Sequence, residues 1–278
     1  MPDSAVAQAA VRFAALHRGP KPFVMPNPWD RGSARILEHM GFDALATTSA
    51  GYAFALGRRD AEGGVSRDEA IGHAAEIVQA TALPVNGDLE NGFGTTPEDC
   101  AETVRQAAAI GLAGCSIEDT TADLADPIID FGLAVERIAA AVEVVRALDR
   151  PFTLTARAEN FLYGRRDMDD TLRRLNAFAD AGADVLYAPG TRTIDLVRQV
   201  CGGVDKPVNV LASAGLTVAE IADAGAKRIS LGSAFALAAI RGLMRAASEV
   251  QEQGTFGFAA ETPGFMDINA IMAGRDHD

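Results

Sequence analysis

Eight short apolar runs, each followed by a polar turn and a stretch long enough for one helix, constrain this chain more than any other feature. They are PFVM (22–25), ALATT (44–48), LPVNG (83–87), AGCSI (113–117), FTLTA (152–156), DVLYA (184–188), PVNVL (207–211) and RISLG (228–232). Strands that alternate with helices build a parallel sheet. The eight repeats leave no second domain over in 278 residues, which favours a closed (β/α)8 TIM barrel over an open doubly wound sheet. The helical stretches stop on glycine, as at Gly111 and Gly182 and in EHMG and EIADAG. Residues 1–278 therefore read as a single α/β barrel domain. From about residue 255 the tail GTFGFAAETPGFMDINAIMAG has no barrel-strand pattern and reads as a helical extension that packs elsewhere.

Charge and composition narrow the partners. A formal net charge of -13 argues against nucleic acid, whose phosphates require a basic stripe. No apolar run approaches the roughly 20 residues that a bilayer requires, so no membrane partner is expected. The alanine-rich start, MPDSAVAQAAVRFAALHRGP, reads as an amphipathic helix and not as a signal peptide. Cys100, Cys115 and Cys201 are odd in number and scattered, which points to a reducing, cytoplasmic setting and to no disulfide framework.

A barrel carries its chemistry where its strands end. There this sequence is acidic. The third strand exits through NGDLENGFG into Asp88 and Glu90, the fourth through SIEDTT into Glu118 and Asp119, and the fifth through TARAEN into Arg157 and Glu159. The second runs through TTSAG to LGRRD, which delivers Asp60. Carboxylates crowded at one barrel mouth call for a hard cation, Mg²⁺ or Mn²⁺, because both take oxygen ligands. His17, His39, His73 and His277 fall in or near helical patterns or at the C-terminus, so a histidine zinc site is not expected. The chain has only three lysines, Lys21, Lys206 and Lys227, each just before a strand and so at the opposite end of the barrel. That excludes Schiff-base chemistry. What fits is a metal that polarises a carbonyl, an arginine, Arg157, able to grip a carboxylate, and the Thr47–Thr48–Ser49 loop, which serves either as an anion site or as an ordinary turn. A small 2-oxo acid suits this set.

In order along the chain, NPWDRGSARILEHMGFDALATTSAG, LGRRD, GDLENGFG, GCSIEDT, TARAENF, AGADVLYAPG, KPVNVLA and RISLGSA resemble the isocitrate lyase and phosphoenolpyruvate mutase superfamily over nearly the whole length. The resemblance implies that Asp88 binds Mg²⁺ directly while Glu90 and Glu118 hold the metal's waters. It implies a substrate site of Thr47, Thr48, Ser49, Arg157 and Asn209, and a catalytic set of Asp60, Arg157 and Glu159. It also implies a last helix exchanged between subunits and a homotetramer built as a dimer of such dimers. Where the namesake lyases carry a cysteine-bearing loop, this chain reads TTADLADPIIDFGLAVER, with no Cys, His or Lys, and Pro189 stands where some lyases place an acid. The expectation is a Mg²⁺-dependent lyase or decarboxylase. It would act on the C–C bond of a small 2-oxo or 2-hydroxy dicarboxylic acid, oxaloacetate-like, through a metal-bound enolate. The alternatives are a C–P bond enzyme of phosphonopyruvate or a non-catalytic barrel that binds a 2-oxo acid.

Overall fold

A computed structural model describes residues 3–60, 63–121 and 123–273. Eight parallel strands form one sheet: β1 (Phe23–Met25), β2 (Leu45–Ala46), β3 (Val85–Asp88), β4 (Gly114–Glu118), β5 (Thr153–Arg157), β6 (Val185–Tyr187), β7 (Val208–Leu211) and β8 (Arg228–Ser230). Each lies within one of the runs expected to be strand or within a residue of it. The spatial order is β1-β8-β7-β6-β5-β4-β3-β2. The seam between β1 and β2 is drawn shut where Ala46 N donates to Pro26 O at 3.0 Å and Asn27 Nδ2 donates to Thr47 O at 2.8 Å. The result is a nearly closed (β/α)8 barrel.

The helices are α1 (Asp3–Leu16), α2 (Arg31–His39), α3 (Ser49–Ala55), α4 (Arg67–Ala80), α5 (Pro97–Ala109), α6 (Phe131–Arg146), α7 (Met168–Ala181), α8 (Ile194–Gly202), α9 (Val218–Asp223), α10 (Ala234–Gln253) and α11 (Phe265–Ala273). Their starts are written in the sequence. Ser66 with Glu69, Thr96 with Asp99 and Thr217 with Glu220 form reciprocal capping boxes on α4, α5 and α9. Glu98 and Asp99 are thus first-turn acids of α5 and take no part in the site. The glycine stops hold as well: Gly111 and Gly182 have φ of 92° and 114°, where a side chain would be strained.

Strand residues that face the helices, such as Leu45, Val85, Cys115, Leu154 and Leu186, are buried with the inner faces of α4 to α8. Inside the barrel a polar knot replaces part of the apolar filling. Arg228, 1% exposed, donates to Asn209 Oδ1 and to Thr155 Oγ1, both at 2.9 Å, and lies 3.3 Å from His17 Nε2. Phe13 and Phe23 close around His17 edge to face, with ring centres 4.8 and 5.0 Å from it, and α1 covers that end of the barrel.

The expected extension comprises a 3₁₀ turn (Gly257–Glu261) and α11. α11 lies back on α2, where Arg35 donates to Met272 O. α10, by contrast, leaves Leu237, Ile240, Leu243, Met244 and Val250 exposed. No helix among the described residues is long and apolar enough to cross a membrane.

Candidate active site

Asp88 is the last residue of β3, and its surroundings answer why the chain puts negative charge there. Its N–H donates to Thr47 Oγ1 at 2.8 Å. Ser49, the first residue of α3, donates to Asp88 Oδ2 through both N and Oγ, each at 3.2 Å, and Ser116 Oγ lies 3.4 Å from Oδ1. Thr48 caps α3, accepting from Gly51 N through its side chain. The TTSAG loop, read from sequence as an anion site or a plain turn, therefore binds the protein's own carboxylate.

Arg157, at the end of β5, ties the acids together. Its Nη1 lies 3.0 Å from Asp88 Oδ1 and 2.9 Å from Glu118 Oε1, and its Nε lies 2.7 Å from Glu159 Oε1. The guanidinium also sits 4.9 Å from the centre of the Tyr187 ring. Two of its nitrogens are already engaged by the protein, so the two-point grip on a substrate expected of it requires one of these carboxylates to yield. Burial pushes the Glu118 carboxyl above the usual range, with the Arg157 charge opposing. Burial followed by the charges of Glu118, Asp88 and Asp60 pushes Glu90 up to about 8. Concentrated negative charge out of water is the electrostatic signature of a cation site.

The loop after β3 holds Glu90 in a strained shape. Glu90 and Phe93, neither of them glycine, have φ of 47° and 57°. Glu118 N donates to Glu90 O at 2.9 Å, and buried Arg137 on α6 donates to Gly94 O and Asn91 O. A side chain at Gly94 would run into Asp99 at 2.2 Å. The glycines of NGFG thus let the loop pass close to α5.

Behind Arg157 lies a buried network that the sequence reading did not assign. Asp119 accepts from Glu159 N at 2.8 Å and from Arg174 on α7 at 3.1 Å. Arg174 also donates to Ile129 O, at the far end of the loop after β4. That loop closes on itself through a Thr120–Ile128 bridge, and Asp126 pairs with Arg165 of the loop after β5 at 2.9 Å.

These groups surround a cavity of about 590 Å³. Asp60, Asp88, Glu90, Glu118 and Arg157 line it together with Thr48 and Ser49, so strands two to five converge as expected. Three expected residues do not reach it. Thr47 is buried and spent on the Asp88 backbone. Asn209 is buried inside the barrel, where Ser230 and Arg228 take up its amide. Glu159 is fully buried under Arg157 and paired with it, and its Oε2 has no partner among the described residues. Tyr163, which does line the cavity, was missed. It follows Glu159 by one hydrogen-bonded turn, a spacing visible in ENFLY once the turn is known.

No Lys, His or Cys lines the cavity among the described residues. Cys100 and Cys201 lie in α5 and α8 and Cys115 in β4. The described residues hold no ready-made cluster of three or more His, Cys, Asp or Glu metal ligands. The donor set is hard oxygen, brought to the cavity wall by Asp88, Glu90 and Glu118. Such a set fits an ion that takes one or two carboxylates and keeps several waters, as Mg²⁺ does, and does not fit zinc.

The comparisons with known proteins agree with this geometry. Residues 13–251 match the family model for phosphoenolpyruvate phosphomutase. A structure from Burkholderia cenocepacia, described as a candidate lyase or mutase, is 50% identical with a TM-score of 0.95, and the match covers 99% of each chain. An uncharacterized protein of Mycobacterium tuberculosis is 32% identical over 80% of this chain and 81% of its own. From Corynebacterium glutamicum, a protein named probable 2-methylisocitrate lyase 2 is 32% identical over 66% of this chain and 61% of its own. The chain belongs to the isocitrate lyase and phosphoenolpyruvate mutase superfamily, whose members are C–C lyases and mutases.

Proposed function

We propose that this enzyme is a Mg²⁺- or Mn²⁺-dependent lyase that cleaves the C–C bond of a small, oxaloacetate-like 2-oxo or 2-hydroxy dicarboxylic acid. One observation carries the reading: Asp88, Glu118 and Arg157 meet within hydrogen-bonding distance at the rim of a cavity that no lysine, histidine or cysteine lines. Asp88 would hold the ion, with Glu90 and Glu118 placed for its waters. A divalent ion so held supplies Lewis-acid polarisation of a 2-oxo acid carbonyl. The chain's own groups do the rest. Arg157 fixes the two acids at one separation and offers a substrate carboxylate a fixed positive charge, and Ser49 orients Asp88. A volume of about 590 Å³ suits a small diacid.

The match to phosphoenolpyruvate phosphomutase supports a second reading, in which the same site breaks a C–P bond. Incubation with Mg²⁺ and a panel of 2-oxo acids, 2-hydroxy diacids and phosphonopyruvate separates them. Pyruvate or a related 2-oxo acid without phosphate supports the first, phosphate release or phosphoryl migration supports the second, and neither product rejects both in favour of a binding barrel.

For the assembly we infer a homotetramer in which α10 is exchanged between subunits, while α11 stays on its own α2. The exposed apolar side chains of α10, with Phe256, Phe265 and Met266 beyond it, support that reading.

A further inference from the structure

We propose that Tyr163 is the proton donor to the carbon freed by C–C cleavage, a role that rests on the lyase reading above. Cleavage beside a carbonyl leaves an enolate, which becomes product when its carbon gains a proton. That proton needs an O–H, N–H or S–H donor at the cavity wall, and no thiol, imidazole or ammonium lines it among the described residues.

The other hydroxyls there are committed. Ser49 donates to Asp88, Ser66 to Glu69, Thr120 to Glu118 and Thr121 to the carbonyls of Asp123 and Asp126. Tyr187 is buried beneath Arg157, whose guanidinium covers its ring. Thr48, Thr95 and Ser233 are aliphatic alcohols, far weaker acids than a phenol. Asp88 and Glu118 are tied to Arg157, and with Glu90 they are needed as carboxylates for the cation, while Asp60 is itself engaged. The Tyr163 hydroxyl has no hydrogen-bond partner among the described residues, and it faces the charges of Glu118, Glu159, Arg157 and Asp60.

The backbone fixes where Tyr163 sits on the cavity wall. Leu162 N and Tyr163 N both donate to Glu159 O, at 3.0 and 3.2 Å, and Arg165 N donates to Asn160 O at 2.8 Å, so residues 159–165 form a hydrogen-bonded turn just beyond the end of β5. Arg157 and Tyr163 are thereby carried by one strand and one turn. From the other side Gly190, with φ of 87°, lets the loop after β6 pack against the turn; a Cβ there would lie 2.6 Å from Leu162 N. Burial and the nearby acids push the phenol up to about 12, which keeps the proton on oxygen until a strong carbon base appears.

In the step, the Tyr163 O–H bond breaks and a C–H bond forms at the enolate carbon. The electron pair of the O–H bond stays on the phenolate oxygen. Solvent at the cavity mouth returns the proton, since Tyr163 is only half-buried.

The experiment reads hydrogen–deuterium exchange of the pyruvate methyl group in D₂O with Mg²⁺ by proton NMR, for the wild type and for Tyr163→Phe. Oxalate, a planar mimic of the pyruvate enolate, is titrated calorimetrically into both. The expected result is exchange slowed about 100-fold, within the range for loss of a general acid, with oxalate affinity changed less than about threefold. Exchange in the variant within threefold of the wild type overturns the proposal. So does an equal loss of oxalate affinity, which would make Tyr163 a binding or structural residue. Wild-type protein that binds oxalate with Mg²⁺ but exchanges nothing removes Tyr163 as donor and leaves the lyase reading standing. Failure of the wild type to bind oxalate with Mg²⁺ overturns the lyase reading itself.

Discussion

Arg157 Nη1 meets Asp88 Oδ1 at 3.0 Å, joining the ends of β5 and β3 across a sequence separation of 69 residues. The same nitrogen holds Glu118, and Nε holds Glu159. A lysine places one ammonium where the fork places several N–H groups, so it cannot serve these acids together. We expect Arg157→Lys to lower kcat/KM on the best substrate by about 1.5 to 3 kcal/mol, or 10- to 150-fold. Steady-state kinetics on the folded variant check this, and an unchanged kcat/KM would remove Arg157 from the site.

Asp88→Asn keeps the shape of the side chain and its contacts with Ser49 but removes the charge that would face a cation. Mn²⁺ affinity, followed by electron paramagnetic resonance, should fall more than about tenfold, equivalent to 1.4 kcal/mol. Chelation should abolish wild-type turnover, and added Mg²⁺ should restore it. Full activity of the chelated enzyme would end the metal reading.

The fold was legible because each of its signals is local. Apolar runs, first-turn acids and glycine stops are set within a few residues, and all eight strands fall where those signals place them. The acidic mouth was legible too, since strand ends point one way in a barrel. What was not legible depends on contacts between strands and on turns. Arg157 and Glu159 stand two residues apart, which in an extended chain puts them on one face. Here β5 ends at Arg157, and Glu159 begins a hydrogen-bonded turn that buries it. Asn209 entered the expected substrate site through the family resemblance alone. Its fate is set by Arg228 on the next strand, a pairing that no local pattern announces.

His17 offers a stability test away from the cavity. Burial, then the Arg228 charge, lowers it from 6.5 to about 3. The folded state therefore resists a proton that the unfolded chain accepts below pH 6.5. The stabilisation is complete above pH 6.5 and is lost progressively as pH falls toward 3, by on the order of 2 kcal/mol at pH 5. His17→Gln, which does not titrate, should flatten the fall in urea-unfolding free energy between pH 7 and pH 5. Equal slopes for both proteins would show that His17 is not the responsible group.

Gly190 should tolerate no side chain. Its φ of 87° disfavours any L-residue, and a Cβ would press on Leu162 N and Phe161 C at 2.6 Å. Gly190→Ala should cost about 1 to 3 kcal/mol in chemical unfolding and should displace the turn that carries Tyr163. A variant as stable as the wild type would mean that the two loops part without penalty.

The last prediction concerns α10, whose Leu243 and Met244 are 71% and 65% exposed. A 20-residue helix with such side chains leaves a substantial apolar area facing water. Burial against a partner would gain roughly 25 cal/mol for every Å² of apolar surface removed. If α10 docks on a second copy, a charge at its centre must be desolvated without a partner, and association weakens by several kcal/mol. The paired change Leu243→Glu with Met244→Glu should convert the proposed tetramer to smaller species in light scattering coupled to size exclusion. Its far-UV circular dichroism should match the wild type, because neither side chain belongs to the barrel core. A wild type that runs as a monomer, or a variant that keeps the wild-type mass, would show that this face is not the subunit contact.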